Sequence, residues 1–127
     1  MLSTKPLPRS LRKLAQKRDA ARAEREVKAA VKARDGFRCR VCLRKGPVDC
    51  HEEKRRGAGG KVSLANSYAV CRICHDLLQS RHMQAEQDRE SFDASQPIRF
   101  TTTRQVADLV WPSGNVPAHV YVLPEGA

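Results

Sequence analysis

In the first third of the chain the hydrophobic positions are sparse and small. From Leu11 to Arg34 the run LRKLAQKRDAARAEREVKAAVKAR contains no Pro or Gly and is dominated by Ala, Lys, Arg and Glu. That composition predicts a helix over residues 10–35, with Ser10 as its N-cap and Asp35-Gly36 as its end. Its apolar members, Leu11, Leu14, Ala15, Ala21, Val27, Ala30 and Val31, make only a thin stripe, so firm docking is not expected along its length. Residues 1–9, with two prolines and a Ser/Thr pair, read as a flexible start. Phe37 is expected to be an apolar anchor beside the first pair of cysteines.

The pattern then shortens. KGPVDCHEEK reads as a turn at Gly46-Pro47 and a short strand over Val48 to His51, and RRGAGGKVSLAN as a glycine-rich loop. SYAVC reads as a second strand, and CRICHDLLQSRHMQAEQDRE as a helix burying Ile73, Leu77 and Leu78. Beyond residue 90 the content of IRFTTT, VADLVW and HVYVL is β-branched and aromatic, which predicts strands separated by a turn at PSGN. The expected class is α+β: a long basic helix (10–35), a small strand–loop–strand–helix domain (36–90) and a β-rich tail (91–127).

Charge adds a direction to this plan. Residues 1–38 hold 12 Lys/Arg against 4 Asp/Glu, residues 39–82 hold 9 against 4, and residues 83–127 hold 3 against 6. A field concentrated in the first two thirds attracts polyanions, with nucleic acid the leading partner class and an acidic membrane surface the second. A basic helix can equally be a solvated face or dock on an acidic protein, and the tail can also serve as a partner surface. No apolar run approaches the roughly 18 residues of a membrane span. Aromatic residues are only 5% of the chain, so a large apolar core is not expected and another source of stability is needed.

The cysteines supply one. Cys39-x-x-Cys42 and Cys71-x-x-Cys74 place two thiolates on each of two tight turns, the ligand set of a structural zinc. Five cysteines without a secretory leader pattern point to a reducing, cytoplasmic compartment rather than to disulfides. A zinc closed by four thiolates has no open position, so any chemistry must use what remains: Cys50, His51, Asn66, His75 and His82. His82, seven residues beyond His75, lies about two helical turns away and reads as a surface or phosphate-contacting residue. His119 reads as a strand residue.

CRVC, then VDCHEEKRRGAGG, then NSYAVCRICH resembles the zinc-containing branch of the HNH endonuclease family, over about residues 36–82. The resemblance implies a ββα-metal fold that hydrolyses DNA phosphodiester bonds with one divalent metal, Mg²⁺, Mn²⁺, Ni²⁺ or Zn²⁺. His51 would be the general base, His75 a metal ligand, and Asn66 the residue that holds the His51 loop and orients its ring or, as in some relatives, binds the metal itself. Arg55, Arg56 and Lys61 would contact DNA. The chain departs from the family pattern at Cys50, the ligand position next to the base, where His or Asp is usual and where a thiol suits magnesium poorly. Asp49 would point away from the side of Cys50 and reach the metal only through a bulge. Such a protein would suit a phage or mobile element of a prokaryotic host. The other reading is a zinc-stabilised nucleic-acid-binding module that does not cut.

Overall fold

The computed structural model describes residues 1–88 and 90–125. Helix α1 (Arg9–Arg34) runs into a cysteine turn, followed by strand β1 (Asp49–Glu52), a short 3-10 turn at Arg56–Ala58, strand β2 (Ser67–Val70) and helix α2 (Arg72–Gln79). Strand β3 (Met83–Ala85), strand β4 (Phe100–Thr102), helix α3 (Arg104–Val110) and strand β5 (Val120–Val122) complete it. The α+β class expected from the sequence is what forms.

β1 and β2 make an antiparallel hairpin in which Cys50 faces Ala69 and His51 faces Tyr68. β3, β4 and β5 make a second sheet, antiparallel between β3 and β4 and parallel between β4 and β5. α1 lies against the hairpin, and α2 follows β2 directly, which places His75 beside β1. One buried cluster includes Tyr68, Leu78, Met83, Phe92, Phe100 and Trp111, so a single core crosses the boundary expected near residue 90.

α1 begins one residue early: Pro8 is its cap and Ser10 lies inside it. At its end the Phe37 N–H donates to Lys32 O and the Gly36 N–H to Ala33 O, with Gly36 at φ 67°. These are the two bonds of a Schellman stop, for which glycine is suited. Phe37 is 57% exposed and anchors nothing.

α2 is shorter than its sequence suggests. His82 N–H donates to Leu77 O, Arg81 N–H donates to Leu78 O, and Arg81 sits at φ 62°, so a second Schellman stop ends the helix at Gln79. The helix-favouring MQA just beyond it becomes β3, because pairing with β4 outweighs local propensity over so short a stretch. Within α2 the buried side chains are Cys74 and Leu78, while Ile73 faces solvent.

VADLVW forms helix rather than strand. The Thr103 side chain accepts from the Val106 N–H, and Val106, Ala107 and Val110 share the buried face while Leu109 is exposed. That three-and-four spacing is helical, and β-branched content alone concealed it. IRFTTT and HVYVL do contain the strands β4 and β5.

Asp35 ties these parts together. Its carboxylate accepts from Arg34 Nε (2.9 Å), from Arg40 (2.8 Å) and from the backbone N–H of Ala69 (2.8 Å). Arg40 reaches on to the carbonyls of Ala94 and Gln96, joining α1, the cysteine turn, β2 and the tail. Burial alone would raise the Asp35 pKa, but the bonds from Arg34 and Ala69 and the charges of Arg40 and Arg34 hold it below the usual carboxylate value. A lowered folded value means that this stability is fully present above the unfolded value near 3.9 and is lost as pH falls through the folded one. Asp35→Ala strands two arginines and an amide, and is expected to lower unfolding stability by about 3 kcal/mol. Urea titration measures it, and a loss below about 1 kcal/mol would remove Asp35 from this role.

Candidate functional site

The two cysteine pairs meet as expected. The Sγ atoms of Cys39, Cys42, Cys71 and Cys74 all lie within 4.8 Å of one another. Cys39, Cys42 and Cys74 are buried and Cys71 is half-buried. The Cys42 and Cys71 sulfurs are 3.8 Å apart. A tetrahedral zinc with Zn–S near 2.3 Å has sulfurs about 3.8 Å apart, so the set fits such an ion. In each pair the backbone N–H of the second cysteine donates to the sulfur of the first, at 3.5 Å in both. Hydrogen bonds from Cys42 and Cys74 stabilise the Cys39 thiolate and lower its pKa to about 2. The same contacts with Cys39 push Cys42 up to about 11 and raise Cys74 as well. The protein's own groups therefore favour only one of these three thiolates, and a bound cation would supply the charge that lets the others ionise.

A second constellation lies across β1 and α2. His51 is 7% exposed and its ring packs edge-on against Tyr68, with centroids 5.2 Å apart, and against His75, at 5.3 Å. Burial, followed by the neighbouring His75 and Arg55, lowers its pKa to about 4. The imidazole is therefore neutral through the whole neutral range, and a weak base there. His51 forms part of the wall of two depressions. One is lined also by Cys50, Glu52, Arg55, Arg56, His75 and Gln79, the other by Glu53, Arg55, Arg81 and Gln87 among others.

The companion of His75 is Asp49. Its Oδ2 lies 3.1 Å from His75 Nδ1, while Gln79 Nε2 lies 3.1 Å from His75 Nε2. Asp49, paired regularly with Val70, sits two residues from His51 on the same strand, so the period of two puts both on the α2 side without a bulge. Cys50 is the residue turned away: Ser67 hydrogen-bonds to it, and the charges of Lys28 and Lys32 reach it from α1. Burial raises its pKa. Asp49 thus meets His75 directly and with no bulge, on the strand face opposite Cys50, although Cys50 still lines the depression that holds His75. Asp49 itself is held below the usual carboxylate range, first by the His75 hydrogen bond and, against some burial, by Arg72 at 3.4 Å.

Asn66 holds the loop rather than the ring. Its Oδ1 accepts from the Lys54 N–H at 2.8 Å, and its Nδ2 donates to Lys54 O and Lys61 O, both at 2.9 Å. These bonds close residues 54–61 into a compact turn behind β1. Gly60 is required there, because a Cβ would lie 1.8 Å from Lys54 O.

Of the three predicted basic contacts, Arg55 stands in both depressions and donates to Gln79 O at 3.0 Å. Arg56 turns toward α1, where it bonds Glu24, and Lys61 lies farther along the same seam. His82 lies past the end of α2, bonded to Ser80 Oγ at 2.7 Å. His119 donates to or accepts from nothing in either depression; its Nε2 meets the Arg40 carbonyl at 2.9 Å. Asp49, Arg72 and Gln79 also gather about His75; of these, Asp49 was expected to reach it only through a bulge, and the other two carried no expectation. Strand period two, applied from His51 instead of from Cys50, would have found the first.

Together the fold and the thiol cluster define an α+β protein with a four-cysteine site able to hold a metal ion such as zinc. Compared with protein-family models, with curated proteins and with solved structures, the chain has no match. Among the described residues no helix is long and apolar enough to cross a membrane.

Proposed function

We propose that this chain is a small metal-dependent endonuclease of the HNH type that hydrolyses DNA phosphodiester bonds. The observation that carries the reading is the pairing of Asp49 with His75, 3.1 Å apart, next to the buried ring of His51. Oxygen and nitrogen ligands about 2.1 Å from an octahedral ion lie about 3.0 Å apart when adjacent, so this pair suits a divalent cation that a thiol at Cys50 would not. A cation held there supplies charge stabilisation to the scissile phosphate and its departing oxygen. Neutral His51 takes the proton of the attacking water as its oxygen bonds to phosphorus. Arg55, which lines both depressions, positions the phosphate. Gln79 fixes the His75 ring, its amide turned so that the carbonyl accepts from Nε2–H once Nδ1 is a ligand. Zinc at Cys39, Cys42, Cys71 and Cys74 holds β2 and α2 to the turn before β1, and so holds His75 against Asp49.

The alternative, a zinc-stabilised nucleic-acid-binding module that does not cut, draws on one feature. His51 is so deeply buried that its basicity is low, and a weak base contributes little unless the metal shares the load.

Supercoiled-plasmid cleavage in Mg²⁺, Mn²⁺, Ni²⁺ and Zn²⁺ separates the two. Wild type is expected to nick in at least one metal, Asp49→Asn to lose about 100-fold or more in rate, and Cys50→Ser to stay within about threefold. Equal losses in both variants would return the ligand role to Cys50, and no nicking by wild type in any of the four metals would leave the binding module.

A further inference from the structure

α1 is longer than the body it docks on. Glu24, Val27, Lys28, Val31 and Lys32 are partly or fully covered, whereas every residue from Arg9 to Ala23 is exposed. At 1.5 Å per residue that exposed segment extends roughly 22 Å. It carries Arg9, Arg12, Lys13, Lys17, Arg18 and Arg22 against a single acid, Asp19. Leu11 and Leu14 are the only large apolar side chains on this segment, too few for a seam that a helical partner would cover.

The orientation of this overhang can be read from one contact. Glu24 bonds Arg56, which lines the depression shared by His51 and His75. At 100° per residue, Lys17 and Lys13 lie seven and eleven residues before Glu24 and each falls within about 20° of its direction. They form a ladder on the cleft side of the helix, about 10 and 16 Å beyond Glu24. Arg18 and Arg22 fall about 120° and 160° away, on the outer side, and Arg22 is partly engaged by Asp19 at 3.9 Å. If the arm were only a solvated charge run, the two pairs would be equivalent.

We propose that the free half of α1 is a phosphate-tracking arm, in which Lys13 and Lys17 bind the backbone of duplex DNA outside the cleft while Arg18 and Arg22 do not. The partner is argued from charge complementarity and from this alignment, and the inference rests on reading the cleft as a phosphodiester site.

The test is fluorescence anisotropy of a 30-bp duplex between 50 and 200 mM NaCl, without added divalent metal, using the zinc-loaded full chain. Lys13→Gln/Lys17→Gln is expected to weaken binding on the order of tenfold and to lower the slope of log K against log salt by about 1.8. Arg18→Gln/Arg22→Gln, which removes the same charge from the same helix, is expected to change affinity less than threefold. Equal losses in the two variants, a larger loss in the arginine pair, or no loss in either overturns the arm. Retention on poly-glutamate with no binding to duplex overturns it in favour of an acidic protein partner. Because no cleavage is read, a chain that shows the lysine effect but never cuts keeps the arm and loses the nuclease. One that cuts with equal losses does the reverse.

Discussion

Cys74→Ser protein is expected to bind no zinc and to show no cooperative unfolding transition. Cys74 is fully buried, sits on α2, and its sulfur is one corner of the cluster whose other corners come from the turn at 39–42 and from Cys71. A structural zinc of this kind contributes on the order of 10 kcal/mol, as much as the whole stability of a typical domain. The cluster is built into the core: Cys39, Val41, Val70 and Cys74 are all inaccessible to solvent and belong to one buried group. Serine also leaves a hydroxyl where a thiolate was, unable to replace it as a zinc ligand. Metal analysis and thermal denaturation measure this directly. Wild type should carry one zinc per chain, and thiol titration should find Cys50 alone reactive until a chelator is added and all five cysteines afterwards. A wild type that carries no zinc as purified yet unfolds cooperatively, with Cys74→Ser melting at the same temperature, would refute the zinc assignment.

His51→Ala is expected to reduce plasmid nicking by about a thousandfold while duplex affinity stays within about threefold. General-base catalysis contributes on the order of 10² to 10⁴, and His51 is the neutral imidazole nearest the Asp49–His75 pair. Affinity should survive because the phosphate-facing cations, Arg55 and the α1 lysines, are untouched. A variant that nicks at the wild-type rate would remove His51 from the chemistry.

The same residue sets a pH dependence of stability. His51 titrates near 6.5 in the unfolded chain and near 4 in the folded one, so the unfolded chain binds the proton first as pH falls. Its contribution is therefore fully present above about 6.5 and is lost progressively down to about pH 4, by up to about 3 kcal/mol. His51→Gln should flatten that part of the pH–stability curve, whereas the decline due to Asp35 begins only below about pH 4 and should persist. Denaturant midpoints at pH 7, 5.5 and 4 distinguish the two. An unchanged curve in His51→Gln would place the acid sensitivity elsewhere.

Much of the site was legible as spacing. Two Cys-x-x-Cys turns together supply the four ligands of a tetrahedral zinc, and the fold brings all four sulfurs within 4.8 Å. The long α1, the β1–β2 hairpin and the glycine-rich loop between its strands were likewise readable. Each depends on local physics: helix propensity over many residues, strand content bounded by turn residues, and a loop that needs Gly60 to let Lys54 O approach.

What the linear sequence left open were choices between two locally acceptable conformations or neighbours. Residues 83–85 favour helix, and only the available edge of β4 makes them a strand. VADLVW has strand content, and only the core it meets selects the three-and-four face that buries Val106 and Val110. The decisive case is Asp49 against Cys50: both lie within two residues of His51, and strand alternation separates them, but which one meets a ligand depends on which side α2 packs. α1 covers the Cys50 face and α2 brings His75 to the Asp49 face. By itself the sequence determined the reactive groups and their order, because spacing and propensity act locally. The tertiary structure alone decided which carboxylate or thiol faces His75, because that depends on contacts between segments some 25 residues apart.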